Sequence, residues 1–205
     1  YLINTNPKLS KNRFFPGGTN KIIISLAAID ANVLEDENAF FKWDGAKCPY
    51  PSWEKDFVLK DAFQKSVNWY FLKVSKLTGF DKINKSIIDS GYGNKKSLFP
   101  NSKIKISPTE QIAFLKKLYN NNLPFCLHAI DITKKILIID KTANYTFSGK
   151  TGTGFNETNN KFGWFVGHFK KNKKEYLFAT FIQGENASGP NAREITKDLL
   201  LNMDL

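Results

Sequence analysis

Residues 145–155 read Tyr-Thr-Phe-Ser-Gly-Lys-Thr-Gly-Thr-Gly-Phe, and residues 162–167 read Phe-Gly-Trp-Phe-Val-Gly. Apolar residues alternate with small or polar ones, which predicts that the two segments are neighbouring strands. Gly152, after Lys150 and Thr151, leaves the edge of the first strand open to close approach by another group. The same reasoning predicts strands over 144–150, 162–169 and 175–183 and a helix near 191–202. The last quarter of the chain is therefore expected to form a sheet followed by a helix.

Most of the preceding chain has the pattern of helices. The apolar run from Ile22 to Ala31 predicts a buried helix, and residues 57–77 show helical spacing of apolar side chains that ends at Gly79. Another helix is predicted over 81–89, and a further one starts at the cap signal Ser107-Pro108-Thr-Glu. A helical block therefore precedes the sheet.

These segments predict a single α+β domain over residues 1–205. Tyr1-Leu-Ile-Asn reads as the end of a strand entering a loop. We expect a helical lobe at about 16–143, inserted between sheet segments at 1–15 and 144–205.

Composition excludes several classes of function. The net charge of +11 rests on 28 Lys and 2 Arg scattered along the sequence beside 21 Asn, which favours a compositional bias over a nucleic-acid partner. Cys48 and Cys126 have no His or Cys at metal spacing, so reduced thiols are expected and no metal site. No apolar run approaches the length of a membrane span, and no leader pattern precedes the first helix. Neither a membrane span nor a signal peptide is expected in this chain.

A series of short motifs resembles class D β-lactamases in order and spacing. The motifs are Gly45 to Trp53, Ser66-Val-Asn-Trp-Tyr-Phe71, Tyr92-Gly-Asn94, Ile106-Ser-Pro-Thr-Glu-Gln111, Leu123-Pro-Phe125, Gly149-Lys-Thr-Gly152 and Gly163-Trp-Phe-Val-Gly167. The chain equally resembles the extracytoplasmic sensor domains of membrane-bound β-lactam receptors. The resemblance implies a β-lactamase/transpeptidase-like fold, an antiparallel sheet flanked by helices and an extracytoplasmic location. It also implies N-terminal strands that this chain lacks, which would leave a sheet edge open to self-association or to a missing segment.

The nucleophile position is the main departure from that family. By resemblance, a Ser-x-x-Lys motif supplies the nucleophile and, one helical turn later, its base. Here the motif reads Gly18-Thr19-Asn20-Lys21, so Lys21 remains and the nucleophile is replaced by Gly18. The neighbouring Thr19 would point about 100° away on a helix, and cannot easily substitute. The strings at 52–55 and 102–105 are interpreted as chance matches.

The second motif, Ser66-Val67-Asn68, is predicted to lie inside a helix. The resemblance implies that Ser66 is a proton shuttle to the leaving nitrogen. An Asn at position 68 resembles the sequences of the sensor subgroup and not those of the hydrolases. In the hydrolases an apolar residue at that place and a loop Trp keep the base lysine dry and carbamylated, whereas the loop at 95–105 has no Trp. A carbamylated Lys21 is therefore not expected, and no other cofactor is implied.

The recognition half of the site is retained. The resemblance implies catalytic residues Lys21 and Ser66 and substrate-binding residues Asn68, Lys150, Thr151, Gly152, Thr153 and Ser188. Lys150 and Thr151 would pair with a substrate carboxylate. The backbone N–H groups of Gly18 and Thr153 would form an oxyanion hole without any side chain.

Three hypotheses follow from the sequence. The first is a non-hydrolytic domain that binds β-lactams or peptidoglycan-like peptides reversibly. The second is a working class D β-lactamase whose natural serine at position 18 has been replaced. The third is a structural or interaction protein that keeps only the fold. The sequence alone does not separate the first from the third.

Overall fold

The computed structural model describes residues 5–99 and 101–202. Within them the chain forms helices α1 (Lys21–Asp30), α2 (Leu59–Gln64), α3 (Asn68–Thr78), α4 (Phe80–Ser90), α5 (Pro108–Tyr119), α6 (Leu127–Leu137) and α7 (Gly189–Asn202). The strands are β1 (Phe40–Phe41), β2 (Phe57–Val58), β3 (Ile138–Lys141), β4 (Tyr145–Phe155), β5 (Lys161–Lys171) and β6 (Lys174–Gln183). In the described part, no helix combines the length and the apolar character needed to cross a bilayer.

The main sheet is antiparallel, with the strand order β3-β4-β5-β6. The strands predicted from the sequence correspond to β4, β5 and β6, and the predicted helix near the end corresponds to α7. Strand β3 was not predicted, and it lies within the segment that was expected to be helical. The sheet therefore carries the helical lobe on one face and α7 on the other, and the expected antiparallel sheet flanked by helices is confirmed.

Helix α1 is the centre of the larger core. The prediction of a buried helix at Ile22 to Ala31 is confirmed, because every residue from Lys21 to Ile29 is buried. A smaller core between the sheet and α7 consists of Phe147, Phe165, Phe169, Phe178 and Ala192. The expected strand at Tyr1-Leu-Ile-Asn lies outside the described residues.

The single helix predicted over residues 57–77 is wrong. The segment instead forms β2, α2 and α3, with a break at Ser66, whose φ is 56°. The Ser66 N–H donates to Phe63 O, and the Val67 N–H donates to Ala62 O, which is the Schellman arrangement that ends a helix. Gly or Asn is usual at this left-handed position, so Ser66 is held there at a conformational cost. The second motif therefore lies at a helix–helix junction rather than inside a helix.

Candidate active site

Three segments bring the motif residues together. The turn Gly17–Asn20 is a short 3-10 helix that leads directly into α1, the junction at Ser66 links α2 to α3, and β4 presents its edge to both. Gly17 has a φ of 52°, which a residue with a side chain rarely adopts, and so the chain can enter the turn next to the strand.

Lys21 lies at the base of this site and is almost completely buried. Its Nζ donates a hydrogen bond to Asn68 Oδ1 at 2.8 Å and lies 5.5 Å from the centre of the Phe71 ring. Burial lowers the pKa of Lys21 to about 8. Lys21 can therefore exchange a proton near neutral pH, and in the structure its N–H donates to the amide oxygen of Asn68.

Lys150 projects from β4 into the same site and is only 2% exposed. Its Nζ donates to Ser66 Oγ and to the carbonyl oxygen of Thr151, the latter at 3.1 Å. Burial, and to a smaller degree the charge of Lys21, lowers the pKa of Lys150 well below its usual value. The site therefore holds two buried amino groups whose hydrogen-bond partners are neutral.

The turn and the strand edge touch backbone to backbone. A Cβ atom added at Gly18 would lie 2.7 Å from the carbonyl oxygen of Thr151 and 3.3 Å from Ser66 Oγ. A Cβ atom added at Gly152 would lie 2.7 Å from the carbonyl oxygen of Pro16 and 3.0 Å from the nitrogen of Gly18. Atoms at 2.7 Å from such a Cβ would have to move, so both contacts depend on glycine. The carbonyl oxygen of Thr151 on β4 therefore occupies space that a side chain at position 18 would need.

Thr19, which follows Gly18, takes part in a buried hydrogen-bond network. Its Oγ1 donates to the carbonyl oxygen of Pro16 at 2.8 Å and accepts from Gln111 Nε2 at 3.0 Å. Thr19 and Gln111 are both completely buried. Sequence reasoning included Gln111 in a family motif, directly after the capping box of α5, but did not assign it to the site. This network holds the turn against α5 and occupies the hydroxyl of Thr19.

Thr151 and Thr153 lie on the opposite side of β4 from Lys150. Thr153 Oγ1 accepts a hydrogen bond from the Gly189 N–H at 2.9 Å, at the start of α7, and Thr151 shares that side by the alternation of a strand. Ser188 Oγ accepts from the Asn191 N–H at 3.2 Å, which makes Ser188 the cap of α7. The structure brings together Gly18, Lys21, Ser66, Asn68, Lys150 and Gly152, but it does not bring the hydroxyls of Thr151, Thr153 or Ser188 to Lys150.

The backbone amide of Thr153 lies against the turn. A Cβ atom added at Gly17 would be 3.2 Å from the nitrogen and 3.1 Å from the oxygen of Thr153. The expected oxyanion donors, Gly18 and Thr153, therefore lie in adjoining segments, and the backbone of Gly17 lies close to one of them. In the described part of the chain, no group of three or more His, Cys, Asp or Glu is arranged to hold a metal.

Comparison with known proteins identifies the family. The family described as "Penicillin binding protein transpeptidase domain" matches residues 4–201. The methicillin resistance mecR1 protein of Staphylococcus aureus is 33% identical over 211 residues, covering 100% of this chain and 36% of that protein. Regulatory protein BlaR1 of Staphylococcus aureus is 34% identical over 203 residues, covering 97% of this chain and 35% of that protein. The crystal structure of a class D β-lactamase from Bacillus subtilis superimposes with a TM-score of 0.87 at 32% identity, covering 95% of this chain and 83% of that chain.

This chain therefore belongs to the penicillin-binding transpeptidase domain family, as a member with the class D β-lactamase fold. Its relatives include both regulatory proteins and β-lactamases, as the motif resemblance implied. The chain spans only about a third of the length of the two regulatory relatives, at 36% and 35%.

Proposed function

We propose that this domain recognises β-lactams or peptidoglycan-like peptides reversibly and does not hydrolyse them. One observation carries the proposal: the motif resemblance puts the nucleophile at position 18, and Gly18 has no side-chain oxygen or sulfur. The structure supports it, because a Cβ atom at Gly18 would lie 2.7 Å from the carbonyl oxygen of Thr151. The two nearby hydroxyls have other partners, since Thr19 bonds Pro16 and Gln111, and Ser66 holds Lys150. Without a nucleophile no acyl-enzyme forms.

Recognition rests on groups that need no nucleophile. The Lys150 ammonium can form a charge-assisted hydrogen bond with a ligand carboxylate, and Ser66 can bond a ligand amide. Each such bond contributes a net of roughly 0.5–3 kcal/mol before the entropy cost of association, so we expect affinities in the high micromolar to millimolar range. Such ligands lie outside the cytoplasmic membrane, so we also propose an extracytoplasmic location.

Intact-protein mass spectrometry after incubation with excess benzylpenicillin tests the absence of acylation. We expect no added mass. A stoichiometric adduct would contradict the proposal, and mapping the adduct would identify a substitute nucleophile.

Binding is tested separately by calorimetry with the same ligand. Lys150→Met should abolish the measured affinity, whereas Lys161→Met, on the adjoining strand, should leave it unchanged. If both variants bind as well as the wild type, the ligand lies elsewhere and the recognition proposal fails.

A fold-only role is the second candidate, and the close packing of Gly17 and Gly18 on β4 favours it. Lys150 is buried and bonded to Ser66 and Thr151, so a ligand must displace groups around it to reach its ammonium, and that displacement costs affinity. The absence of any binding in the calorimetric experiment would support this candidate. A hydrolase that lacks only its serine is less consistent with the structure, because a side chain at position 18 would require the turn and β4 to move apart.

A further inference from the structure

One end of the main sheet carries a concentration of lysines that the candidate active site does not use. They are Lys141 on β3, Lys170 and Lys171 at the end of β5, Lys173 in the turn and Lys174 at the start of β6. We call these five residues the lysine tip. Lys141, Lys170, Lys173 and Lys174 are exposed, and Lys171 is half-buried.

The register of the sheet holds these lysines close to one another. Lys171 is the cross-strand partner of Lys174, while Lys141 and Lys170 both pair with Thr146. Neighbouring strands lie about 5 Å apart, so the ammonium groups lie within one or two Debye lengths of one another at physiological salt. The tip therefore acts as a single positive surface.

Nearby carboxylates neutralise little of this charge. Glu175 forms ion pairs with Lys170 at 2.8 Å and with His168 at 3.4 Å, and Asp140 accepts a hydrogen bond from Tyr145 Oη at 2.6 Å. Among the residues that the structure describes, the other four tip lysines form no ion pair. Repulsion between these four charges is relieved when they approach an anionic partner.

The shape of the tip distinguishes a flat partner from a chain-like one. Cross-strand partners share a face of the sheet, so Lys141 and Lys170 project on the side of the helical lobe and Lys171 and Lys174 on the side of α7. Lys173 lies between the two sides in the turn, where its φ is 67°. The lysines therefore lie on both sides of the end of the sheet and do not line a groove. This arrangement fits a planar anionic surface better than a chain-like partner.

The chemistry of the tip argues against a nucleic-acid partner. The charged side chains of the tip that are positive are all lysines, whose ammonium groups act as point charges. None is an arginine, whose planar guanidinium binds phosphate through two hydrogen bonds. The two rings beside the tip, Tyr145 and Tyr176, are half-buried, and Tyr145 is held against Phe169 and Asp140. No exposed ring is therefore offered for stacking on a base.

We propose that the lysine tip docks this domain end-on to a membrane surface rich in anionic lipid. Lys150 lies five residues along β4 from Tyr145, which corresponds to roughly 17 Å of strand. Docking through the tip therefore leaves the candidate active site uncovered. The inference is independent of whether that site binds a ligand.

Co-sedimentation with phospholipid vesicles tests the proposal. The wild-type protein should sediment with mixed phosphatidylcholine–phosphatidylglycerol vesicles, should not sediment with phosphatidylcholine alone, and should be released by salt. Each lysine next to an anionic surface is worth about fivefold in binding, so the triple variant Lys171→Gln, Lys173→Gln, Lys174→Gln should bind about 100-fold more weakly.

The matched control is Lys76→Gln, Lys82→Gln, Lys116→Gln, which removes the same charge from exposed sites on three helices. It should lose no more than a few-fold in affinity, and both triple variants should melt like the wild type. If both triple variants lose the same affinity for the vesicles, binding depends on net charge and not on the tip, and the proposal is overturned. Failure of the wild type to bind the mixed vesicles, or tighter tip-dependent binding to a linear polyanion such as poly(U), would overturn it as well.

Discussion

Any side chain at position 18 is expected to destabilise the fold, because the strand fills its place. The Cβ atom of Gly18→Ala would start 2.7 Å from the carbonyl oxygen of Thr151, whereas an ordinary contact begins near 3.4 Å. The turn and β4 must separate by several tenths of an ångström to accommodate it. Overpacking of this kind costs about 1–3 kcal/mol, and in a chain of this size each kcal/mol lowers the melting temperature by about 2–4 °C. We therefore expect a fall of roughly 2–12 °C.

Gly18→Ser adds a hydroxyl to the same perturbation. Its oxygen would lie close to Ser66 Oγ and one helical turn from Lys21, so a nucleophile and base can form once the segments separate. We expect one equivalent of acylation by a chromogenic cephalosporin, followed by a very slow steady state. Deacylation stays slow because Asn68 and the loop at 95–105, which has no Trp, do not give Lys21 the dry pocket that activation of water requires.

Differential scanning fluorimetry measures the stability change, and stopped-flow absorbance with intact mass measures the acylation. Asn20→Ala, in the same turn, is the control for a mutation near Gly18 that adds no atom. If Gly18→Ala melts with the wild type, the backbone contact between the turn and β4 is not as described. Rapid multiple turnovers by Gly18→Ser would refute the argument that Asn68 and the loop at 95–105 limit hydrolysis.

Three further predictions concern buried polar groups. Lys21 has a folded pKa of about 8 and keeps its proton to higher pH in the unfolded chain, so Lys21 should contribute a rise of about 2 kcal/mol in the free energy of unfolding between pH 8 and 10. The lowered pKa of Lys150 adds a rise in the same direction, so in denaturant titrations Lys21→Met should reduce the rise without abolishing it. Ser66→Ala should lower the free energy of unfolding by about 1–3 kcal/mol because Lys150 loses its hydroxyl partner, and Ser66→Gly should cost less because it relieves the left-handed backbone. Burial lowers the pKa of His168, so folding loses stability as the pH falls below about 6.5, and His168→Gln should make that loss shallower in acid melts.

Sequence reasoning predicted the types of most long elements correctly, because hydrophobic periodicity is strong where one face is buried, but it did not single out α6. It failed at Ser66, since the apolar spacing of α2 continues into α3 and both helices bury the same side. It also missed β3, because Ile138–Lys141 follows α6 directly with no turn residue to mark a change. Local sequence therefore gave no sign of either boundary.

The candidate site was predictable in part of its residues but not in its packing. The resemblance to class D β-lactamases implied that Lys21, Ser66 and Lys150 share a site, and the structure brings them together, whereas the hydroxyls of Thr153 and Ser188 have other partners. The contact of Gly18 with the carbonyl oxygen of Thr151 joins segments more than a hundred residues apart, and no sequence pattern records how closely they approach. The hydrogen bond from Gln111 to Thr19 also depends on tertiary packing between segments that are distant in the sequence.

The two buried lysines are the strongest physical argument for recognition over a fold-only role. Burying an ammonium group with only neutral partners costs stability, and the lowered pKa values of Lys21 and Lys150 express that cost. Gly18 offers neither lysine a side-chain hydroxyl or thiol to activate. Buried ammonium groups that weaken the fold are best explained by an anionic ligand that binds beside Lys21 and Lys150, because its charge offsets theirs. If no anionic ligand binds at this site, the lysines remain a cost to the fold without a compensating interaction.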